Sequence, residues 1–356
     1  MRYLDGPADV VVVGGGVTGC AAALALAEAG LRVRLHDARE IAGGASGRNG
    51  GFALRGGAAS YDVTAESIGR GQARRLWRLT EDALGRMESL AGDAFRRTGS
   101  LRLAADDEER DALRVEYELL REDGFEAVWV DEPLGGRFRA AIFHPGDAAL
   151  QPARWVRRLA VLAAEAGVEI HEHSRVEALD EVEAERVLVA TDGYPSGLLG
   201  SIEGLIVPTR GQMIATEPLP ERIFECPHYG RHSFDYWQQT PDGRIVAGGF
   251  RDWALESEFT AEERTTPPIQ GALESFVAEL VGRPVAVEHR WAGIFGLVFD
   301  FLPVVGRVPG EERVWVAGGY SGHGNVLGLL CGDLVAKAML GREAPELALF
   351  DPARLL

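Results

Sequence analysis

The sequence contains one run of residues suited to binding a dinucleotide. Four consecutive valines at positions 10–13 are followed by Gly14, Gly16 and Gly19 in a GxGxxG pattern. In such a pattern the first glycine permits a tight turn, the second lets the backbone approach a pyrophosphate, and the third lets the following helix pack closely. Asp37 follows at the distance where a carboxylate accepts hydrogen bonds from an adenosine ribose. These residues predict a dinucleotide site.

The elements around these residues have to hold them at one edge of a sheet. The valines predict a parallel strand buried on both faces, Cys20–Ala29 predicts a helix that ends at Gly30, and Arg32–His36 predicts a second strand. The uncharged run 10–27 also raises a membrane span or a signal peptide as alternatives. Its glycines argue against one continuous helix, because each costs about 1 kcal/mol there.

Two further glycine-rich turns are expected to contact the same ligand. Ala42–Phe52 (AGGASGRNGGF) comes shortly after Asp37, and its exposed N–H groups suit a phosphate or the edge of a ring system. Near the other end of the chain, the buried strand Val314–Gly319 leads through a glycine turn to a helix at about Val326–Leu340. This second anion-accepting helix start is needed less by an NAD enzyme than by a flavin, whose reduction places negative charge on its ring.

The segment Phe234–Phe250 predicts a hairpin with an aromatic first strand and a Pro-Asp-Gly turn. Tyr236 and Trp237 are candidates for the wall of a substrate pocket, with packing of either ring in the hairpin's own core as the open alternative. His171 and His173 alternate on a predicted strand. We expect a solvated strand face there and not a metal site, because no other ligands cluster nearby.

Helical spacing and apolar runs predict the remaining scaffold. The predicted helices are Thr64 to about Arg97, Asp106–Glu122, Gln151–Ala166 and Ile269–Val281, and the predicted strands are Thr98–Ala104, Glu126–Val130, Val168–His173, Arg186–Thr191 and Val285–Phe295.

Composition narrows the class of protein. A formal net charge of -17 over 356 residues disfavours nucleic acid or an anionic membrane as a partner and favours a cationic small substrate. Cys20, Cys226 and Cys331 are widely spaced, so neither a disulfide framework nor a zinc site is expected, and a cytoplasmic location fits best.

The order of the motifs along the chain resembles a known family. GGGVTG with Asp37, GASGRNGGF, ATDGY, PTRGQMIATEP, DYWQQTPDGRIVAGG, RWAGIFGLVFDFLPVVGR and GGYSGHGN are similar to the D-amino-acid-oxidase-like flavoproteins, which include glycine oxidase, sarcosine oxidase and γ-glutamylputrescine oxidoreductase. The match spans nearly the whole chain. It looks closest to the γ-glutamylputrescine oxidoreductase branch, chiefly through ASGRNGG.

The resemblance implies an α/β fold in which a mixed α+β substrate domain is inserted discontinuously into a Rossmann-like FAD-binding domain. The FAD-binding domain would comprise 1–95, 146–207 and 296–356, and the substrate-binding domain 96–145 and 208–295. FAD would be bound non-covalently, since no cysteine lies in the strand where sarcosine oxidases attach flavin. The FAD-contacting residues would be Gly14, Gly16, Val17, Thr18, Gly19, Asp37, Ala38, Ala45, Ser46, Arg48, Asn49, Gly50, Gly51, Val176, Thr191, Gly193, Gly319, Ser321, Gly322, His323, Gly324, Asn325, Val326 and Leu327.

The resemblance also implies oxidation of a C–N bond by hydride transfer to flavin N5, giving an imine that water hydrolyses. The substrate would be an amine or an amino-acid-like molecule, and the electron acceptor oxygen or another compound. No catalytic base is assigned. Candidates for the substrate pocket are Tyr236, Trp237, Phe295, His323 and Arg231.

One departure from the family pattern bears on the substrate. Amino-acid oxidases of this group hold the substrate carboxylate with an arginine shortly after Trp-x-Gly, whereas here Trp291-Ala292-Gly293-Ile294 is followed by Phe295. We therefore expect an amine, or an amine with a remote carboxylate that Arg231 or Arg251 would bind. A D-amino-acid or glycine-type oxidase, an aromatic hydroxylase and a non-catalytic flavin-binding protein stay open as alternatives.

Overall fold

A computed structural model of the protein describes residues 8–356, and the strands found there form three sheets. The strands are β1 (Ala8–Val13), β2 (Val33–His36), β3 (Phe52–Ala53), β4 (Phe95–Arg96), β5 (Ser100–Ala104), β6 (Val128–Asp131), β7 (Ala140–His144), β8 (Ala148–Leu150), β9 (Glu169–His171), β10 (Ala184–Val189), β11 (Val207–Thr216), β12 (His228–Gly230), β13 (Asp235–Gln239), β14 (Ile245–Gly248), β15 (Val287–Leu297), β16 (Val304–Arg307) and β17 (Val314–Gly318).

Helices connect these strands. The α-helices are α1 (Val17–Glu28), α2 (Ala45–Arg48), α3 (Tyr61–Ile68), α4 (Arg70–Ala91), α5 (Asp107–Glu122), α6 (Pro133–Gly136), α7 (Pro152–Glu165), α8 (Leu255–Glu258), α9 (Pro267–Val281) and α10 (Gly324–Met339). Short 3₁₀ turns lie at Gly92–Ala94, Leu179–Glu181, Gly200–Leu205, Arg251–Ala254, Pro345–Leu349 and Pro352–Leu355.

The six-stranded sheet has the order β16-β17-β10-β1-β2-β9, and all of its pairs are parallel except the edge pair β16–β17. Val10 and Val12 of the central strand pack in the core that contains α1, α7 and α10, while Val11 and Val13 pack against the segment 198–206 and Val298 on the other face. Both faces of β1 are therefore buried, as its unbroken valine run predicts. The sheet confirms the predicted Rossmann-like α/β fold.

The eight-stranded sheet has the order β15-β11-β14-β13-β12-β5-β7-β6 and is antiparallel except for the pair β5–β12. Helix α9 covers β11 and β14, and an apolar core that contains Ile269, Leu273 and Trp237 lies between helix and sheet. The third sheet, β3-β8-β4, is small and was not predicted from the sequence.

The strands follow the predicted division of the chain to within two residues. Strands of the six-stranded sheet fall in 1–95, 146–207 and 296–356, and strands of the eight-stranded sheet fall in 96–145 and 208–295, apart from Val207 and the last two residues of β15. Residues 1–7 lie outside the described part. The domain boundaries themselves stay a prediction.

One predicted helix is wrong in its extent. The helical pattern from Thr64 to about Arg97 forms two helices, α3 and α4, and a strand, because Gly69 adopts φ 86° and breaks the helix between them. A left-handed residue cannot continue a right-handed helix, and glycine adopts this conformation at little steric cost.

Candidate functional site

A cavity of about 590 Å³ lies where the carboxyl ends of β1, β2 and β10 approach the eight-stranded sheet. Ligands of open α/β sheets collect at this edge. The predicted cofactor-contacting residues that line it are Gly14, Gly16, Val17, Thr18, Asp37, Ala38, Ala45, Ser46, Arg48, Asn49, Gly50, Val176, Thr191, Ser321, Gly322, His323, Gly324, Asn325 and Val326. Five sequence segments far apart in the chain therefore meet at one cavity.

The other predicted cofactor residues do not line the cavity. These are Gly19, Gly51, Gly193, Gly319 and Leu327. The glycines allow close backbone packing instead: a Cβ at Gly19 would lie 1.9 Å from the Gly14 carbonyl oxygen, and one at Gly193 would lie 2.3 Å from the Phe295 carbonyl carbon. Leu327 belongs to α10 and is buried in the core. Their role is to shape the wall behind the ligand.

The first glycine turn leaves the start of α1 open to the cavity. Gly14 has φ 113°, and a Cβ there would lie 2.5 Å from the Ala190 carbonyl oxygen, so a side chain cannot be placed at this position without strain. Gly16 is the N-cap residue of α1 and provides no side-chain cap. The Val17 N–H donates to Ser46 Oγ at 3.1 Å. A helix start with these features is suited to a phosphate group.

The Asp37 carboxylate is held at the end of β2 by two backbone donors. Oδ2 accepts from the Gly15 N–H at 2.6 Å, and Oδ1 accepts from the Arg39 N–H at 2.7 Å. These bonds fix the carboxylate beside the α1 turn, where the sequence predicts the ribose of the cofactor.

The glycine-rich segment after β2 is tied to α10 and to the hairpin. Asn49 and Asn325 exchange side-chain hydrogen bonds at 3.2 and 3.0 Å, and Asn325 Nδ2 also donates to the Phe52 carbonyl oxygen at 2.8 Å. Gln238 Nε2 donates to the Gly50 carbonyl oxygen at 2.6 Å. The two glycine turns that the sequence singles out are therefore held against each other across the cavity.

Asp192 is a cavity residue that the sequence reasoning missed, although Thr191 and Gly193 beside it were selected. Its carboxylate accepts from the Gly296 N–H at 3.0 Å and from the Gly319 N–H at 2.8 Å, joining the ends of β15 and β17 to the end of β10. The signal available in the sequence is the turn pair Asp192-Gly193 at the end of a strand, and Asp192 adopts φ 51°, in the left-handed region that aspartate tolerates. Burial raises the pKa of this carboxyl group.

The substrate-pocket candidates divide into two groups. Tyr236, Phe295 and His323 line the cavity, and Trp237 and Arg231 do not. The placement of Trp237 in the pocket wall is wrong, because neighbouring strand residues point to opposite faces and its ring is fully buried against Phe138 and His228. Arg231 is also wrong as a pocket residue, since its guanidinium pairs with Asp235 and with Asp252.

His323 is the N-cap residue of α10, and its side chain lies at the cavity wall. Burial, followed by the positive charge of Arg102, lowers the pKa of His323 to about 4. Its imidazole is therefore neutral at physiological pH, and its Nδ1 has no hydrogen-bond partner among the described residues.

Residues 8–356 contain neither a cluster of metal ligands nor a membrane-spanning helix. No group of three or more His, Cys, Asp or Glu side chains comes together as metal ligands would. No helix in this range combines the length and the apolar composition needed to cross a membrane.

Relatives of this chain among known proteins include two enzymes and one solved structure. The chain is 29% identical to γ-glutamylputrescine oxidoreductase of Escherichia coli, over 94% of this chain and 84% of that one. It is 29% identical to a glycine oxidase of Pseudomonas aeruginosa, over 97% of both chains. The crystal structure of glycine oxidase from Geobacillus kaustophilus superposes with a TM-score of 0.79 at 24% identity, covering 98% of this chain and 99% of that one, and shows the shared fold.

A family model gives the assignment. The model for the DAO family of FAD-dependent oxidoreductases matches residues 9–338, which include every strand of the three sheets except Ala8 of β1 and every residue that lines the cavity. The recognised resemblance and its cofactor are thereby confirmed, while assignment to the γ-glutamylputrescine oxidoreductase branch stays a prediction. The chain belongs to the DAO family of FAD-dependent oxidoreductases.

Proposed function

We propose that this protein oxidises a C–N bond of an amine or amino-acid-like substrate with FAD as its cofactor. One observation carries the proposal: a single cavity extends from the Asp37 carboxylate and the α1 start to the aromatic residues Tyr236 and Phe295 of the eight-stranded sheet. A dinucleotide site that opens into an aromatic chamber suits an enzyme that brings a small molecule to a flavin.

The residues at the cavity fit FAD. Val17 and Thr18 would bind the pyrophosphate through the start of α1, Asp37 would bind the adenosine ribose, and Val176 would contact the adenine. The isoalloxazine would be held between Arg48–Gly51 and Ser321–Leu327, the two segments that Asn49 and Asn325 join. Gly16 supports this fit, because it leaves space between α1 and Ser46. A Cβ at Gly16 would lie 2.8 Å from Ser46 Oγ.

The chain's own residues orient the substrate and exclude water. When bound, FAD supplies the acceptor for a hydride from the carbon beside a neutral amine, and water then hydrolyses the resulting imine to a carbonyl compound and a free amine. Tyr236, Phe295 and Phe234 provide the apolar walls of the chamber. No side-chain base is required, because the amine enters this step already deprotonated.

Non-covalent attachment of FAD is part of the proposal. None of the three cysteines lines the cavity, and all three are buried free thiols. Unpaired thiols also support a reducing compartment such as the cytoplasm. We expect the purified protein to be yellow and to release its colour into the supernatant on acid precipitation. Colour that stays in the precipitated protein would contradict this part.

The names of the relatives define the substrates to test first. One relative is named for glycine and another for γ-glutamylputrescine, an amine whose carboxylate is remote. The side chain of Phe295 bears on the choice, because it stands where the resemblance places a carboxylate-binding arginine and offers an α-carboxylate no partner. We expect the amine with a remote carboxylate to react faster than glycine, and Phe295→Arg to improve turnover of glycine.

Anaerobic mixing tests the function directly. The holoenzyme is mixed with amines, amino acids and N-methyl amino acids, and loss of the flavin absorbance is followed. Bleaching by at least one amine, with a carbonyl product, is the expected result. The proposed function would be refuted if dithionite reduced the flavin but no amine in the panel did. Rapid bleaching by glycine would refute only the substrate preference.

A further inference from the structure

One arginine of the cavity differs from the others in its partners. Four arginines line it: Arg39, Arg48, Arg175 and Arg251. Arg39 and Arg48 pair with Glu263 at 2.7 and 3.0 Å, and Arg175 pairs with Glu177 at 3.1 Å. Within residues 8–356, no ion pair or hydrogen bond is found for the guanidinium of Arg251, which follows β14 at the start of a 3₁₀ turn.

The carboxylates around Arg251 are already taken by other arginines. Asp252, its neighbour in the chain, pairs with Arg231 at 3.0 Å. Glu258 pairs with the buried Arg210 at 2.7 Å and accepts from Gln212. Asp252 and Glu258 therefore act on Arg251 only through their charge, and no carboxylate of the described residues forms an ion pair with it.

Aromatic rings hold the Arg251 guanidinium in place. Its central carbon lies 4.8 Å from the centre of the Phe234 ring and 5.6 Å from the centre of the Phe295 ring. Stacking on rings occupies the faces of a guanidinium and leaves its edge N–H groups available as a fork for a carboxylate. Burial lowers the pKa of Arg251, and the group nevertheless stays protonated because guanidinium pKa values start so high.

A partly buried charge without an ion-pair partner is costly unless a ligand pairs with it. We infer that Arg251 binds the carboxylate of the substrate and so selects amines that also carry an acidic group. Phe295 offers no positive charge for a carboxylate. Arg251, which packs against the Phe295 ring, would supply that charge. That the bound carboxylate belongs to the substrate rests on the proposed function. That the cavity binds a carboxylate at Arg251 does not.

Equilibrium binding to the FAD-loaded protein tests the inference without turnover. Benzoate and glutarate are the charged probes, benzamide is the uncharged match to benzoate, and binding is read from the shift of the flavin absorption spectrum. Arg251→Gln should weaken benzoate or glutarate about tenfold to a hundredfold and leave benzamide within about twofold. Arg251→Lys, which keeps the charge but not the fork, should be intermediate.

Arg244→Gln is the matched control, because Arg244 belongs to the adjoining hairpin but pairs with Asp242 and Glu288 outside the cavity. It should leave the affinity for benzoate unchanged. An equal loss of affinity for benzoate and benzamide in Arg251→Gln would overturn the inference, because it would show a packing role. Unchanged benzoate affinity in this variant would also overturn it, and so would a wild-type protein that binds neither benzoate nor glutarate. If Arg251-dependent binding is found but no amine reduces the flavin, the proposed function fails and this inference stands.

Discussion

The Asp37 carboxylate combines two tasks, since it accepts from two backbone N–H groups and also lines the cavity. It is held by the N–H groups of Gly15 and Arg39, and its remaining acceptor positions face the cavity. We expect Asp37→Ala to weaken FAD binding by about 1 to 3 kcal/mol, the cost of losing a charged hydrogen bond. Titration of the apoprotein with FAD measures this loss. Glu40→Ala, which removes an exposed carboxylate from the same loop, is the control, and equal FAD affinity in wild type and Asp37→Ala would contradict the ribose assignment.

His228 gives the folded state a pH dependence that can be assigned to one residue. Burial lowers its pKa from 6.5 to about 4, and its ring stacks on Trp237 at 5.2 Å. Between these two pH values the unfolded chain binds a proton that the folded chain does not. The free energy of unfolding therefore falls as pH drops through this window, by about 3 kcal/mol at most for this group.

The variant His228→Phe isolates that contribution. Phenylalanine keeps a ring beside Trp237 and removes the titration, so the variant should lose less stability than wild type between about pH 7 and about pH 4. Urea unfolding of both proteins across this range measures the difference. Parallel pH profiles for the two proteins would show that His228 is protonated in the folded state.

Tyr236 and Trp237 show what the sequence could and could not predict at the level of a residue. The pattern identifies an aromatic strand beside a cavity, and strand geometry then requires that only one of two neighbours faces it. Which one does depends on how the strand is placed between β12 and β14, a tertiary property without a local signal. Tyr236 faces the cavity, while Trp237 stacks under α9.

Helices α1 and α10 owe their close approach to glycines on α10. A Cβ at Gly332 would lie 2.7 Å from the Thr18 carbonyl oxygen and 2.9 Å from Ala21 Cβ. We expect Gly332→Ala to destabilise the protein by about 1 to 3 kcal/mol through overpacking. Since both helices begin at the cavity, the same variant should also bind FAD more weakly.

Gly271→Ala provides the matched control for that prediction. Gly271 lies inside α9, and a Cβ there would meet nothing within 4 Å. Alanine is the better helix former, so this variant should be more stable by about 0.5 to 1 kcal/mol. Thermal or urea unfolding of the two variants compares them, and equal stability of Gly332→Ala and wild type would mean that the helix pair readily adjusts.

Most elements could be predicted from the sequence because their signals are local. Helical spacing predicts α5, α7 and α9, and the valine run predicts β1. The contacts that complete the site are not local: Asn49 and Asn325 are 276 residues apart in the chain. Asp192 was missed for the same reason, since the strand ends that it joins are separate in sequence.

The distribution of charge over the whole molecule modifies one expectation from composition. The net charge of -17 favours a cationic substrate at long range, where steering acts. Inside the cavity, local charges decide, because salt screens interactions beyond roughly 10 Å. Four arginines and two aspartates line it, and Arg251 has no ion-pair partner among the described residues. For an amine that also carries a carboxylate, the net charge would attract the amine at long range, and Arg251 would bind the carboxylate inside the cavity.

The scarcity of lysine in this chain predicts how reduced flavin would react with oxygen. Lys337 is the only lysine of the chain and lies in the last turn of α10, roughly 20 Å along that helix from the cavity at about 1.5 Å per residue. The resemblance implies that some relatives speed the reaction of reduced flavin with oxygen through a lysine ammonium over the ring. Burial lowers the pKa of His323 to about 4, so the neutral imidazole does not supply that charge, and an arginine of the cavity is the other group that could.

We therefore expect reduced enzyme to react slowly with oxygen and to prefer another electron acceptor. Stopped-flow mixing of the reduced enzyme with oxygenated buffer measures the rate. Because His323 is neutral, His323→Ala should leave that rate unchanged, whereas His323→Lys should raise it by placing an ammonium at the cavity wall. Reoxidation as fast as in lysine-bearing sarcosine oxidases would contradict the expectation, and a fall in that rate in His323→Ala would show that the imidazole is charged beside the reduced flavin.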